Sequence, residues 1–289
     1  MPIIAMTREM GSLGKDVAAA VSERLGKPVV HHEIIDHLAD KMRLRKSHVI
    51  RFLDGKANIW ERLTTDKTSL SIFTAAETLT LAESGEVAVI RGWGSAHLLR
   101  SIPHVICVRV CAPLNVRTQR MMERLNTDDR DLVVNEIKLS EEAHGAITRR
   151  HFGINWQDPE QYDLVLNTER LSIEECADEV MGLAGDSHFQ ETAQSRQMLA
   201  DLALESHVRA ALRADPRTVK ISFSVIADRG RVTLSGPLDS ALKPSDASEI
   251  AAAVPGVKKI ILDFGAAEER YLSALESQKR GRGRPPKQR

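Results

Sequence analysis

The sequence predicts an α/β fold, a parallel sheet with helices on both faces, followed by a small α+β module of αββαβ order. Three observations carry this expectation. Short apolar runs without alternation (3–6, 87–90, 105–110 and 164–166) are separated by helix-periodic stretches, the pattern of strands buried on both faces. The first run leads through a glycine-bearing turn straight into a helix. Beyond residue 196 the pattern changes to alternating strands around a tight turn.

The opening stretch, PIIAMTREMGSLGKDVAAAVSERLG, organises the chain. An apolar strand breaks into a loop holding Gly11 and Gly14, reaches Lys15, and becomes helix-periodic through Val17, Ala20, Val21 and Leu25. In such a turn glycines let backbone N–H groups close around a phosphate, the helix N-terminus adds partial positive charge, and a lysine reaches the outer phosphates. A complete motif reads G-x-x-x-x-G-K-[ST]; here Glu9 stands at the first glycine position and Asp16 replaces the hydroxyl after the lysine. A turn that merely caps a helix is the alternative. The position directly behind an apolar strand favours phosphate binding, as in α/β nucleotide folds.

A chain of 289 residues suggests about two domains, and 42% hydrophobic with 28% charged residues is enough to bury a globular core. Basic and acidic residues balance at 40 each, yet the last eleven residues carry six basic side chains and no acid. The remainder is therefore acidic by six, and the basic end is a local feature. Cys107, Cys111 and Cys176 are too few and too poorly spaced for a disulfide framework or zinc site; Cys107 and Cys111 on one strand lie about 13 Å apart. Reduced thiols are expected. No apolar run reaches the length of a membrane span and no leader-like segment opens the chain, so a cytoplasmic protein is expected.

After the first helix comes a short strand at 27–30, then His31, His32 and Glu33, then helical patterns at 34–42 and, more polar, at 43–84. The adjacent histidines point to opposite faces of an extended segment and so do not share one ion; they contact a substrate or sit in a loop. The strand at 87–90 ends at Arg91-Gly92-Trp93-Gly94 before a helical stretch at 95–100. The strand at 105–110 ends at Ala112-Pro113 and feeds a helix with Arg117, Arg120 and Arg124, either phosphate-facing or basic on its solvent face. A helix at 131–150 closes with Arg149-Arg150. After the strand at 164–166, Ser172 reads as an N-cap with Glu175 as its capping-box partner for a helix to residue 183. Ligands of such sheets lie beyond the carboxyl ends of the strands, where Thr7, Arg91 and Pro113 fall.

The stretches TREMGSLGKDVA, KPVVHHEII, GWGSAHLLR, VRVCAPLNVR and RRHFGINWQDPEQYDLVLNTERLSIEE make residues 2–183 resemble the cytidylate kinase-like family, relatives of the bacterial CMP kinases among P-loop nucleoside monophosphate kinases. The resemblance implies phosphoryl transfer from ATP, with Mg²⁺, to a pyrimidine nucleoside monophosphate of CMP or dCMP type. It places Gly11, Ser12, Gly14, Lys15 and Asp16 around the nucleotide phosphates, and Arg149 and Arg150 with Lys15 at the transferring group. It also places Arg91 and His32 at the acceptor. No resident protein-bound metal is expected; Asp16 would hold Mg²⁺ through water. Three departures from the family pattern, Asp16, Trp93 in place of an arginine, and the acid and histidine of Ser140–His144, raise an alternative: a catalytically degenerate nucleotide-binding regulator.

The expected domains are a nucleotide-binding domain at 1–184, a linker at 185–196, a module at 197–265, and a helical extension with a disordered basic tail at 266–289. The module is read as a helix at 197–212, strands at 219–226 and 231–235 around Asp228-Arg229-Gly230, a helix near 245–253 and a strand ending at Phe264. Its phrases RVTLSG and AAAVPGVKKIILDF resemble the BON domain. That resemblance implies a protein or membrane-surface partner, or a stabilising, dimerising appendage. In the tail, Gly283-Arg284-Pro285 resembles an AT-hook, with Arg282 and Arg284 entering a narrow DNA minor groove; a basic terminus that touches any polyanion is the alternative.

Overall fold

The computed structural model describes residues 1–30, 67–92, 94–236 and 243–264. His32, Trp93, the helix expected at 34–42, Arg282, Arg284 and the tail lie outside the described residues. The chain divides into two compact units, Met1–Leu199 and Ala200–Arg289.

The first unit is a five-stranded parallel sheet of order β2-β3-β1-β4-β5. Its strands are β1 (Ile3–Arg8), β2 (Val29–Val30), β3 (Val89–Arg91), β4 (Val105–Cys111) and β5 (Leu164–Asn167). Among the described residues the helices are α1 (Gly14–Leu25), α2 (Lys67–Glu83), α3 (Ser95–Leu99), α4 (Leu114–Leu125), α5 (Arg130–Phe152) and α6 (Ile173–Gly185). β1 is central, in register with both neighbours: Met6 faces Arg91 of β3 and Val108 of β4. Because β1 and β4 are covered on both sides, nearly every residue in them is buried, which is why their sequences do not alternate.

On one face, Ile4, Met6, Ile106, Val108 and Val110 pack against Val17, Ala18 and Val21 of α1 and against Cys176, Ala177 and Val180 of α6. On the other, α3 meets β4, the Cys107 thiol donating to the Ala96 carbonyl at 3.1 Å. Burial pushes that thiol up to about 12, so it stays protonated. All three cysteines are free. α6 opens with the expected capping box: the Glu175 amide donates to Ser172 Oγ at 3.2 Å, and the Ser172 amide to Glu175 Oε2 at 2.8 Å.

The second unit takes in α7 (Ala193–Ala214) from Ala200 onward, then β6 (Ser224–Asp228), β7 (Arg231–Ser235), α8 (Pro244–Ala252) and β8 (Lys259–Leu262), the αββαβ order. β6 and β7 are antiparallel and β7 and β8 parallel. Val225, Ala227, Val232 and Leu234 point inward onto Leu204, Val208 and Leu212 of α7 and onto Ala247 and Ala251 of α8. The turn places Arg229 and Gly230 at φ 50° and 87°, the left-handed pair that a two-residue hairpin of matching twist requires.

Two segments differ from expectation. α7 begins at Ala193, inside the stretch read as a linker, where the Met1 ammonium and Arg196 both pair with Glu191 at 3.0 and 2.6 Å. β6 begins at Ser224 rather than at 219, because the Val219 amide donates back to Asp215 and the Ile221 amide to Thr218, both at 2.9 Å. These bonds continue the turn that ends α7.

Candidate phosphate-binding site

The loop between β1 and α1 is shaped by two close approaches. Gly11 has φ +81°, and a Cβ there would stand 2.8 Å from the Arg117 carbonyl oxygen; at Gly14 a Cβ would stand 2.6 Å from Arg8 Cβ and 3.2 Å from Val110 Cβ. Only glycine fits at either position. Leu13 adopts φ +58° at the N-cap of α1 without a side-chain cap, which leaves the first turn of the helix open at its amides.

The loop's carbonyls and amides have different fates. The Glu9 oxygen accepts from the Ser12 amide (3.2 Å) and hydroxyl (2.8 Å), and Leu13 O from the amides of Asp16 and Val17. Met10 O accepts from Arg117 Nη1 at 3.3 Å, Gly11 O from Arg120 Nη1 at 3.5 Å, and Ser12 O from Thr168 Oγ1 at 2.9 Å. Among the described residues, no acceptor engages the amides of Gly11, Leu13, Gly14 or Lys15. The side chains of Lys15 and Asp16 are exposed, whereas Ser12 is fully buried and spends its hydroxyl inside the loop. Amides left without acceptors at a helix N-terminus, with a lysine following, suit an anion-binding nest.

Glu9, which stands where the motif has its first glycine, is 6% exposed and holds the strand ends together. Its Oε1 accepts from Arg109 Nη2 at 2.5 Å, and its Oε2 lies 3.2 Å from both the Ala112 amide and Arg117 Nε. Arg117 continues to the Ala112 carbonyl (2.7 Å) and to Glu141 of α5 (2.6 Å). The solvent-face reading of the basic helix therefore holds only for the exposed Arg124: Arg117 is buried, and Arg120 binds Thr168 through its hydroxyl (3.0 Å) and carbonyl (2.7 Å). Sequence periodicity missed this because the acceptors come from distant loops.

Arg91 ends β3 on the face that carries Met6, Arg8 and α1. Burial, aided by the nearby Arg8 charge and opposed by Asp16, lowers its titration point to about 10. It remains a cation at neutral pH, beside the loop. Arg8, which the sequence reading did not single out, thus belongs to the same cationic group; its position after Thr7 at a strand end was the available signal.

Arg149 is exposed near the end of α5, with Arg150 next in the same helix. His144 of α5 stacks its ring on Trp156 at 4.3 Å and 6°, while the Arg109 guanidinium lies 5.4 Å from the same indole. Burial, with His97, Arg8 and Arg109 nearby, lowers His144 to about 4. His97 is likewise lowered to about 4, chiefly by burial. Tyr162 donates to the Trp156 carbonyl at 2.6 Å, and burial raises its hydroxyl to about 12. These groups are neutral packing elements at pH 7. Among the described residues no cluster of three metal-ligating side chains occurs.

A central β1, an open-amide glycine loop with its lysine, and cationic strand ends define the class: a P-loop kinase-type α/β fold. The chain belongs to the cytidylate kinase-like family, whose sequence model matches residues 3–170, and residues 200–264 match the BON domain. A protein named cytidylate kinase from Methanothermobacter thermautotrophicus is 29% identical over 159 residues, 55% of this chain and 89% of that protein. Another of that name from Sulfolobus acidocaldarius is 35% identical over 72 residues, 25% of this chain and 39% of that one. An uncharacterized protein from Eubacterium ventriosum shares the fold, with a TM-score of 0.51 at 20% identity over 64% of this chain and 98% of that structure. No helix among the described residues is long and apolar enough to cross a membrane.

Proposed function

We propose that the first unit is a nucleoside monophosphate kinase that transfers the terminal phosphoryl group of ATP to a pyrimidine nucleoside monophosphate. The observation that carries this reading is the loop whose carbonyls are filled by protein donors while, among the described residues, no acceptor engages the amides of Gly11, Leu13, Gly14 and Lys15. Family membership supports nucleotide phosphoryl transfer, and the relatives named cytidylate kinase support the pyrimidine acceptor.

In this reading the loop amides and Lys15 bind the β- and γ-phosphates of ATP, and Ser12 shapes the loop from inside. Arg91 faces the acceptor phosphate, and Arg149 and Arg150 supply charge over the transferring group. His32 is assigned to the acceptor by resemblance. Asp16 suits Mg²⁺, a hard cation that keeps most of its waters and binds through one or two carboxylates plus phosphate oxygens. The ion would neutralise charge developing on the phosphoryl oxygens; the chain's own task is to align donor and acceptor in line and exclude water.

A coupled ADP-release assay with CMP, dCMP and UMP tests the reading. Turnover with at least one is expected, together with a lower ATP affinity and rate in Lys15→Ala. ATP binding without turnover for any acceptor would replace the kinase with a nucleotide-sensing regulator. The BON unit is assigned an interaction role toward a protein or membrane surface, and the tail with Arg282 and Arg284 weak DNA binding, tested by low-salt DNA retention with and without residues 279–289.

A further inference from the structure

We propose that Thr168 and Arg120 are positioning residues that hold the phosphate loop in its anion-receiving shape, with the Thr168 hydroxyl as the coupling atom. This rests on the reading of the loop as the ATP-phosphate site and extends it to residues that touch no phosphate.

Thr168 directly follows β5 and is 3% exposed. Its hydroxyl donates to Ser12 O at 2.9 Å and accepts from Arg120 Nη1 at 3.0 Å, while its amide donates to Cys111 O at 3.0 Å, fixing it to the end of β4. Arg120 reaches from α4 to the Thr168 carbonyl at 2.7 Å and to Gly11 O at 3.5 Å. Thus the carbonyls of Gly11 and Ser12 are drawn back toward β5 and α4.

A peptide unit that turns its carbonyl one way turns the next amide the other way, so anchoring Gly11 O and Ser12 O fixes the amides of Ser12 and Leu13. The Ser12 amide goes to Glu9 O; that of Leu13 joins those of Gly14 and Lys15 in having no acceptor among the described residues. Without the Thr168 hydroxyl, Ser12 O loses its donor in a buried place, and the peptide is free to flip. A flipped peptide presents a carbonyl to the phosphates. The anchored loop carries no such ordering penalty on binding, so the two residues act on ATP affinity before chemistry.

The test compares Thr168→Val, Thr168→Ser and Arg120→Met in the full chain. ADP and ATP affinities are measured by calorimetry, KM is determined for each substrate, and thermal unfolding is followed. Thr168→Val should weaken ATP and ADP binding about tenfold, as expected for a buried carbonyl left without its donor. KM for the monophosphate and kcat should stay within about twofold by the uniform-binding criterion. Thr168→Ser, which keeps the hydroxyl, should match the native protein, and Arg120→Met should follow Thr168→Val. Native-like ATP affinity in Thr168→Val, or a Thr168→Ser variant as weak as Thr168→Val, would overturn the proposal. So would parallel losses for both substrates that track a lowered unfolding temperature. A native protein that binds ATP but turns over no monophosphate removes the kinase reading while leaving this comparison decisive through binding alone.

Discussion

Restoring the motif's glycine by Glu9→Gly should damage the protein. Glu9 is buried with its carboxylate against Arg109 at 2.5 Å, Arg117 at 3.2 Å and the Ala112 amide at 3.2 Å. Deleting it leaves two buried guanidinium groups. Arg117 retains Ala112 O, Met10 O and Glu141, so its loss is partial. Arg109 keeps the Gln157 carbonyl at 2.5 Å and the Trp156 face but no carboxylate that the structure places on it. Removing one partner of a buried pair costs about 3–5 kcal/mol, and glycine adds up to about 1 kcal/mol in backbone freedom. Against a typical total of about 5–15 kcal/mol, that is about a fifth of the stability or more. Urea unfolding of the full chain, followed by far-UV circular dichroism, should show the transition of the first unit displaced by this amount. In a double-mutant cycle with Arg109→Met, a coupling above about 1 kcal/mol should appear. A Glu9→Gly protein as stable as the native one, or more so, would refute the reasoning.

Two further outcomes follow from the geometry. Gly14→Ala forces a methyl to within 2.6 Å of Arg8 Cβ and should cost about 1–3 kcal/mol by urea midpoint while weakening ATP binding; an unchanged midpoint would mean that α1 and β1 approach less closely than described. His144 titrates at about 4 when folded and near 6.5 when unfolded, so the unfolded chain takes up the proton first. Through this group stability should be full above pH 6.5 and fall by about 3 kcal/mol between pH 6.5 and 4, with His97 adding a loss of the same sign, and His144→Phe should make the decline shallower in urea titrations read by tryptophan fluorescence.

What the sequence made legible was local. The strand–glycine–helix transition, the Ser172–Glu175 capping box and the Asp228–Gly230 turn each announce themselves within a few residues, and each formed as expected. The site's framework was not local. Glu9 reads as a missing glycine until Arg109 and Arg117, a hundred residues away, are brought onto it. Arg120 reads as either phosphate-facing or solvated, because periodicity cannot reveal a carbonyl supplied by the end of β5. Val219 and Ile221 read as strand because their apolar character was visible while the turn bonds holding them were not.

The strand at the middle of the larger sheet is also the earliest in the chain. Ile4 waits for Val89 on one side and Ile106 on the other, with β2 joining through β3 rather than through β1. During synthesis this almost wholly buried strand therefore emerges long before either flank exists to cover it. Assembly of this sheet must be late and cooperative, and a nascent chain stalled before Val105 would display a bare β1 margin open to chaperones or to other stalled chains.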